Sequence, residues 1–403
     1  MTTEEVSAAP QSITLANWQL PPFNRWAFQR VRQFVPSARV DRGEGPLLEL
    51  PSDPRNLDGV RVPLQSGART TLAAFLGRSC TDGFIALRHG RIAAERYDNG
   101  MTARTPHLLE SVSKSLCGAI AGVLAGEGAL ETDAPVAAYV PELDGTSFDG
   151  ATVRHLLDMT TGTLFSEEYE DPDSDVRAVE RAAGWAPASR NEHDAGVLPL
   201  MRGLANSRAH GERFEYRSVL TDVLALVLER AGGARFAEVM SRRLWAPLGV
   251  ENDAEITVDR MGAPIADGGI SVTLRDLARV GQLYAQSGCV DGRQVVPAAW
   301  VQDTRVATSQ CRSLFHASPQ SSEALCSPAE QACQPLGHYR NQWWVLEPDR
   351  GVLLAAGIYG QYLYVDMTAD VVIAKMSSLP EPLDIEVSAD TLAAFSAVVA
   401  ALG

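Results

Sequence analysis

The stretch Leu108 to Leu130, LLESVSKSLCGAIAGVLAGEGAL, constrains this chain more than any other. Val112, Leu116, Ile120, Val123 and Leu124 recur at intervals of three and four residues, so one face is apolar, while Gly118, Ala119 and Gly122 let neighbours pack closely. A helix of this kind belongs inside a core. Its first turn carries chemistry, because Ser111 and Lys114 lie one turn apart on one face. A hydroxyl is a poor nucleophile until a base takes its proton, and lysine serves as that base if burial and neighbouring dipoles disfavour its charged form. The free N–H groups of the helix N-terminus, including that of Ser111, can face a developing oxyanion. The competing reading is a capping serine followed by a solvated lysine. Composition argues against it: of 35 basic residues only Lys114 and Lys375 are lysines, so a generic positive charge here is an arginine, which cannot act as a neutral base. Ser113 and Ser115 flank Lys114 and compete as nucleophiles, but only Ser111 has the three-residue offset.

The rest of the chain is that of an ordinary globular protein, 403 residues long, 45% hydrophobic and 21% charged. A net charge of −15 argues against nucleic-acid or anionic-membrane partners, which need a basic surface. The N-terminus has acidic residues where a secretory signal has basic ones, and no run reads as long enough to span a bilayer, so the expectation is a cytoplasmic protein. Six cysteines in this length are not a disulfide framework, and Cys80, Cys117 and Cys289 read as small core or semi-buried residues.

Taken in order, residues 1–22 read as an extended arm, and Asn24 to Phe34 as a helix opening at an Asn cap. Gly83 to Tyr97 reads as a β-hairpin with His89 and Gly90 at its turn. ATVRHLLDMTTG reads as a helix ended by Gly162, and the acidic stretch Glu167 to Glu180 as a solvated loop. Helices follow over Thr221 to Ala231 and Arg235 to Leu248, and another begins near Thr273 with Asp276 in its first turn. Residues 308–337 read as an inserted loop holding Cys311, Cys326 and Cys333 between His316 and His338. The spacings match no zinc pattern, and free thiols or one local disulfide are expected there, with no metal. From Gln342 the texture is that of strands, closed by a helix over Ala389 to Leu402. The expected architecture is α/β (α+β). Residues 1–100 and 338–403 share one antiparallel sheet with flanking terminal helices, and a mainly helical domain over 101–337 is inserted between them.

HLLESVSKSLCGAIAG, FEYRSVLTDVLALVLER and DGGISVTLRDLARVG resemble the three landmark regions of the serine β-lactamase and penicillin-recognising superfamily. Within it, NWQLPPFNRWAF, the AGW around Trp185, NQWW and GIYGQ resemble the 6-aminohexanoate-oligomer (nylon-oligomer) hydrolases, which are related to class C β-lactamases. The resemblance runs from about Asn17 to the last strand. It implies Ser111 as nucleophile, Lys114 as its base, and Tyr216 passing the proton to the leaving amine. The superfamily's Lys-Thr-Gly strand motif falls at Ala355-Ala356-Gly357, so only the glycine remains. Gly357 still permits close approach of a strand edge, and the N–H of Ile358 is the implied oxyanion donor beside that of Ser111. Tyr169, Glu180, Ser218, Asp267 and Trp344, with Trp185, are implied to line the substrate pocket, Glu180 meeting a substrate ammonium. Tyr359, Glu180 and the longer cysteine loop depart from the nylon-oligomer pattern. The expected activity is that of a cofactor-free serine hydrolase forming an acyl-enzyme with linear amides bearing a cationic amine end, and with short-chain esters. Its partner is then a small-molecule amide or ester, with a homodimer allowed for. A β-lactamase or DD-peptidase, an acyltransferase and a non-catalytic binding protein are the alternatives, and the missing strand lysine weighs against the first.

Overall fold

The structure is a computed structural model and describes residues 12–188, 195–320 and 337–403. Its centre is a seven-stranded antiparallel sheet. Across the sheet the strands run 338–340, 343–347, 352–357, 361–366, 371–377, 81–88 and 91–97. The hairpin near the N-terminus therefore pairs with the last strand of the C-terminal meander, Ile373 opposite Ala86. His89 does sit at the hairpin turn, with φ +51.

The sheet is covered on both sides, which is why its strands lack alternation of polar and apolar residues. In Gln361–Asp366, Tyr362 and Tyr364 pack on Phe395 of the C-terminal helix Ile385–Leu402. Leu363 and Val365 face the other way, onto Gly281 of the helix Leu274–Ala285. That helix starts at Thr273, whose hydroxyl accepts from the Asp276 N–H. The C-terminal helix begins earlier than expected, because the Asp384 carboxylate caps it by accepting from the Val387 N–H. It is also long and apolar enough by length and composition to cross a membrane, contrary to the expectation that no segment is, but Phe395 and its neighbours are buried against the sheet.

Between the hairpin and the meander the chain is chiefly helical, but its described residues contribute five short strands that the sequence pattern hid, two of which, Cys289–Val290 and Arg293–Gln294, pair with each other. His107–Leu108, Ala254–Thr257 and Ile270–Val272 join Ser37–Val40 in a four-stranded sheet. Other expectations are corrected. Residues 12–22 fold into turns that bury Trp18 completely, in place of an extended arm. Asn24 to Phe34 holds only a short α-helix, Asn24–Ala27, and a 3-10 turn, Val31–Gln33, and Asn24 uses its amide to bond Leu379 O at 2.7 Å instead of capping. The helix Val153–Leu157 stops before Met159, which takes φ +55, so Gly162 does not end it. The acidic stretch is not a solvated loop: its second half is the helix Asp175–Ala182, with Val176 and Val179 buried. Thr308 caps a helix, Ser309–His316, where a loop is expected. Cys311 there is a free, buried thiol facing Tyr339 O at 3.3 Å, and His338 bonds Thr304 O at 2.9 Å. Cys326 and Cys333 lie outside the described residues.

Candidate active site

The helix Val112–Gly126 packs between the seven-stranded sheet and the helix Val219–Gly232, with every residue from Val112 to Leu124 buried. A methyl group on Gly118 would sit 2.1 Å from Asn341 O, so the absence of a side chain lets the meander close over the helix. Ser111 is the residue before the first turn, and Glu110 ahead of it is held in the left-handed region at φ +48. Lys114 is buried, and its Nζ donates to Ser111 Oγ at 2.9 Å, Ser218 Oγ at 3.0 Å and Asp267 O at 2.7 Å. Ser113 and Ser115 are spent elsewhere, the first accepting from Ile270 N–H and the second donating to Gln342 O. The geometry thus separates Ser111 from its two flanking competitors.

Those three acceptors use all three N–H bonds of an ammonium. Burial opposes the charge on Lys114, but Tyr216, Asp267 and Glu167 outweigh it and hold the group above the ordinary lysine range. This corrects the expectation that burial leaves Lys114 neutral: the sequence shows that the lysine is internal but not that acidic partners surround it. The Tyr216 hydroxyl lies beside both Ser111 and Lys114, within electrostatic reach of each. Its ring stacks on Trp344 with centroids 5.4 Å apart, and Lys114 Nζ lies 5.2 Å from its centroid. Burial raises the Tyr216 phenol, and Lys114 works in the opposite direction.

Residues that the sequence reading passed over complete this network. Glu167 is half-buried and accepts from the Ser218 N–H at 2.7 Å, the Ser218 hydroxyl, and the Tyr169 hydroxyl at 3.1 Å. Ser218 thereby links Glu167 to Lys114, and it also stands in the wall of the cavity beside Ser111. Asp222 accepts from the N–H groups of Ala266 and Asp267 at 2.8 and 2.9 Å and is hydrogen-bonded to the Asp267 side chain. Burial and the neighbouring Asp267 push the Asp222 carboxyl well above its usual range. An acidic residue within a helix or a Ser-rich loop carries no signal of such pairing, so no motif pointed to Glu167 or Asp222.

The strand Val352–Gly357 closes the site from the opposite side. A methyl group on Gly357 would lie 2.8 Å from Leu109 O and 3.0 Å from Ser111 N, so only glycine brings the strand edge this near. Two chambers meet at Ser111 and share Tyr169 and Ile358 in their walls. The larger is lined by Tyr216, Trp344, Ala356, Tyr362, Leu379 and Leu383. The smaller is a tight cleft lined by Glu110, Glu180, Asp267, Trp185, Val176 and Val179. Glu180 is where the resemblance implies it, beside the nucleophile, but its carboxylate is already paired with Arg177 at 2.7 Å. Tyr359 is buried, packs on Phe28 with centroids 5.1 Å apart, and lines neither chamber.

A serine on a buried helix, one turn from a lysine and faced by a tyrosine and a strand edge, beside an antiparallel sheet covered by helices, defines a hydrolase of the serine β-lactamase fold. The chain belongs to the beta-lactamase family, whose pattern it matches over residues 74–397. Within that family it is 39% identical over 375 residues to the 6-aminohexanoate-dimer hydrolase of Paenarthrobacter ureafaciens, covering 93% of this chain and 90% of the relative. A Bacillus anthracis structure provisionally assigned as a 6-aminohexanoate-dimer hydrolase superposes with a TM-score of 0.86 at 27% identity, covering 98% of this chain and 99% of that one. A family VIII carboxylesterase shares the fold with a TM-score of 0.57 at 16% identity, over 81% and 95% of the two chains.

Proposed function

We propose that this hydrolase is cofactor-free, works through an acyl-enzyme on Ser111, and cleaves linear amides of the 6-aminohexanoate-oligomer type and short-chain carboxylic esters. The observation that carries this reading is the contact of Ser111 Oγ with Lys114 Nζ at 2.9 Å, at the junction of two chambers and beside the Tyr216 hydroxyl. Ser111 Oγ attacks the carbonyl carbon as its proton passes to the Lys114–Tyr216 pair, which acts as a unit. The oxyanion forms between the N–H groups of Ser111 and Ile358. Tyr216 then delivers the proton to the leaving nitrogen or oxygen, the C–N or C–O bond breaks, and water repeats the sequence to release the acid and restore Ser111.

A fluorophosphonate probe tests the assignment. One covalent adduct should form, peptide mapping should place it on Ser111, and Ser111→Ala should lose the adduct together with ester and amide hydrolysis. A label on another serine would overturn the reading. Activity against p-nitrophenyl esters, linear ω-amino amides and the β-lactam nitrocefin then sets the substrate class: nitrocefin turnover far above that of the amides would replace this reading with a β-lactamase.

A further inference from the structure

In its first turn the helix Val219–Gly232 buries a carboxyl among Val219, Leu220, Val223 and Leu224. A leucine would suit those neighbours without the cost of burying a polar group. Asp222 is fully buried, and its Oδ1 accepts from the N–H groups of Ala266 and Asp267, 44 and 45 positions away in the chain, at 2.8 and 2.9 Å. Its Oδ2 meets no N–H or hydroxyl among the described residues, and the group within reach of the Asp222 side chain is the carboxyl of Asp267. Two buried carboxylates repel each other, whereas one proton between them satisfies both. Asp222 is then an acceptor for two backbone N–H groups and a donor to Asp267.

The segment held in this way is the one that faces Lys114. The Asp267 carbonyl accepts from Lys114 Nζ at 2.7 Å, and the Asp267 carboxylate is one of the charges that keep Lys114 protonated. Three more carboxyls lie within electrostatic reach of Asp267, those of Glu110, Glu167 and Glu180. Lys114 is the one cation acting on both members of the pair among the described residues. Cys117, whose Sγ lies 3.7 Å from Ala266 O, is kept a neutral thiol by burial. Two negative charges on the pair would therefore share one ammonium that also serves Ser111 and Ser218. One proton on the pair leaves one charge, and the contact with Lys114 places that charge on Asp267.

We infer that Asp222 is a positioning residue for Lys114, sharing one proton with Asp267 and so fixing the Asp267 carbonyl and carboxylate on the ammonium. Asp222 itself lines neither chamber, so its effect passes through Asp267. The two N–H bonds set where the Asp267 carbonyl stands. The hydrogen bond from Asp222 lets Asp267 stay charged in spite of its burial. That charge in turn sets the pH at which the Lys114–Tyr216 pair releases a proton and becomes able to take the one on Ser111. This rests on the acyl-enzyme reading above.

The test is the pH profile of kcat/KM for p-nitrophenyl acetate in the wild-type enzyme and its variants, with thermal unfolding reporting whether each is folded. The amide of Asp222→Asn copies a protonated carboxyl, its oxygen accepting from the two N–H groups and its nitrogen donating to Asp267, so kcat/KM should stay within about threefold of wild type with the same midpoint. Asp222→Leu removes both functions. Its kcat/KM should fall by about 10- to 100-fold, the sensitivity of a misplaced catalytic group. Without its donor Asp267 takes up a proton and Lys114 loses a neighbouring negative charge, so the midpoint should move down by about one pH unit. If Asp222→Leu does not fold, Asp267→Asn carries the comparison, since it keeps the carbonyl but removes the charge, and its midpoint should move down likewise. An Asp222→Asn variant as impaired as Asp222→Leu would mean that Asp222 must be charged. A midpoint unmoved in Asp222→Leu, or in Asp267→Asn where that variant is the one read, would make the contact merely structural. Either result overturns the inference and leaves the hydrolase reading standing. Failure of the wild-type enzyme to hydrolyse the ester at any pH overturns the hydrolase reading itself, and this inference with it.

Discussion

At Lys114 three acceptors meet three N–H bonds, and this decides how the lysine and Tyr216 work together. The resting pair carries its full complement of protons, because the carboxyls of Asp267 and Glu167 hold Lys114 above its ordinary range and burial raises Tyr216. The form that accepts the Ser111 proton has one proton fewer, so it becomes more populated as pH rises. Ester kcat/KM should therefore climb with pH from about 6 toward 9, and a profile falling over that interval would contradict the assignment. Lys114→Arg should be nearly as damaging as Lys114→Ala, a loss of roughly 10² to 10⁴, since arginine keeps the charge but cannot give up a proton. Retention of most turnover would make Lys114 a charge partner only. Tyr216→Phe should separate the substrates: amide hydrolysis falls by roughly 10² to 10⁴, and activated esters, whose leaving groups need little protonation, fall much less. Steady-state kinetics on a matched amide and ester reads this directly, and equal losses would move Tyr216 from the leaving group to the nucleophile.

The element that completes the site is a strand, and its contribution depends on how near it comes. Gly357 has extended backbone, so a side chain there is not strained in itself. The obstacle is distance, since an alanine methyl would meet Leu109 O at 2.8 Å and Ser111 N at 3.0 Å. Gly357→Ala should push the strand edge away by a few tenths of an ångström and lower kcat by about tenfold or more, the sensitivity expected of a preorganised oxyanion site. Stability should change little, because the strand keeps its pairing with Gln361–Asp366. Thermal unfolding and kcat measured together decide the matter: an unchanged kcat would show that Ile358 is not an oxyanion donor. The helix Asp175–Ala182 works in the same way on the other wall. Its Val176 and Val179 face the small chamber, and Arg177 and Glu180, one turn apart, bring a paired charge to the nucleophile.

Over the whole molecule the two lysines have opposite fates, and Lys375 is the one that couples stability to pH. It lies fully buried in the strand Val371–Ser377, hydrogen-bonded to Ser377 and 5.9 Å from the Tyr362 ring. Burial lowers it from the ordinary 10.5 to about 7. Between those two values the unfolded chain holds a proton that the folded chain does not, so this residue makes stability rise with pH through that window. Below about 7 its full penalty applies. Lys375→Met should therefore stabilise the protein near neutral pH, by up to several kcal/mol, with the gain shrinking to nothing near pH 10.5. Chemical denaturation of both proteins across that range checks this, and a difference independent of pH would mean that packing, not titration, sets it.

Periodicity and local chemistry carried a good part of this protein. The apolar repeat from Val112 to Leu124 announces a buried helix, the Ser111 to Lys114 offset announces its chemistry, and the hairpin at His89 follows from turn residues between apolar runs. These are short-range signals, because each depends on residues within one or two turns of each other. What the tertiary structure decided depends on residues far apart in the chain. Glu167 reaches Ser218 across 51 positions, and Lys114 reaches the Asp267 carbonyl across 153. The short strands at His107–Leu108, Ile270–Val272 and Ala254–Thr257 exist only because they pair with one another. A charge on a buried lysine is set by whichever carboxyls the fold brings around it. Sequence spacing therefore identifies Ser111 and Lys114, while the protonation of that pair, the partner of Glu180 and the pairing of Asp222 with Asp267 are properties of the folded chain alone.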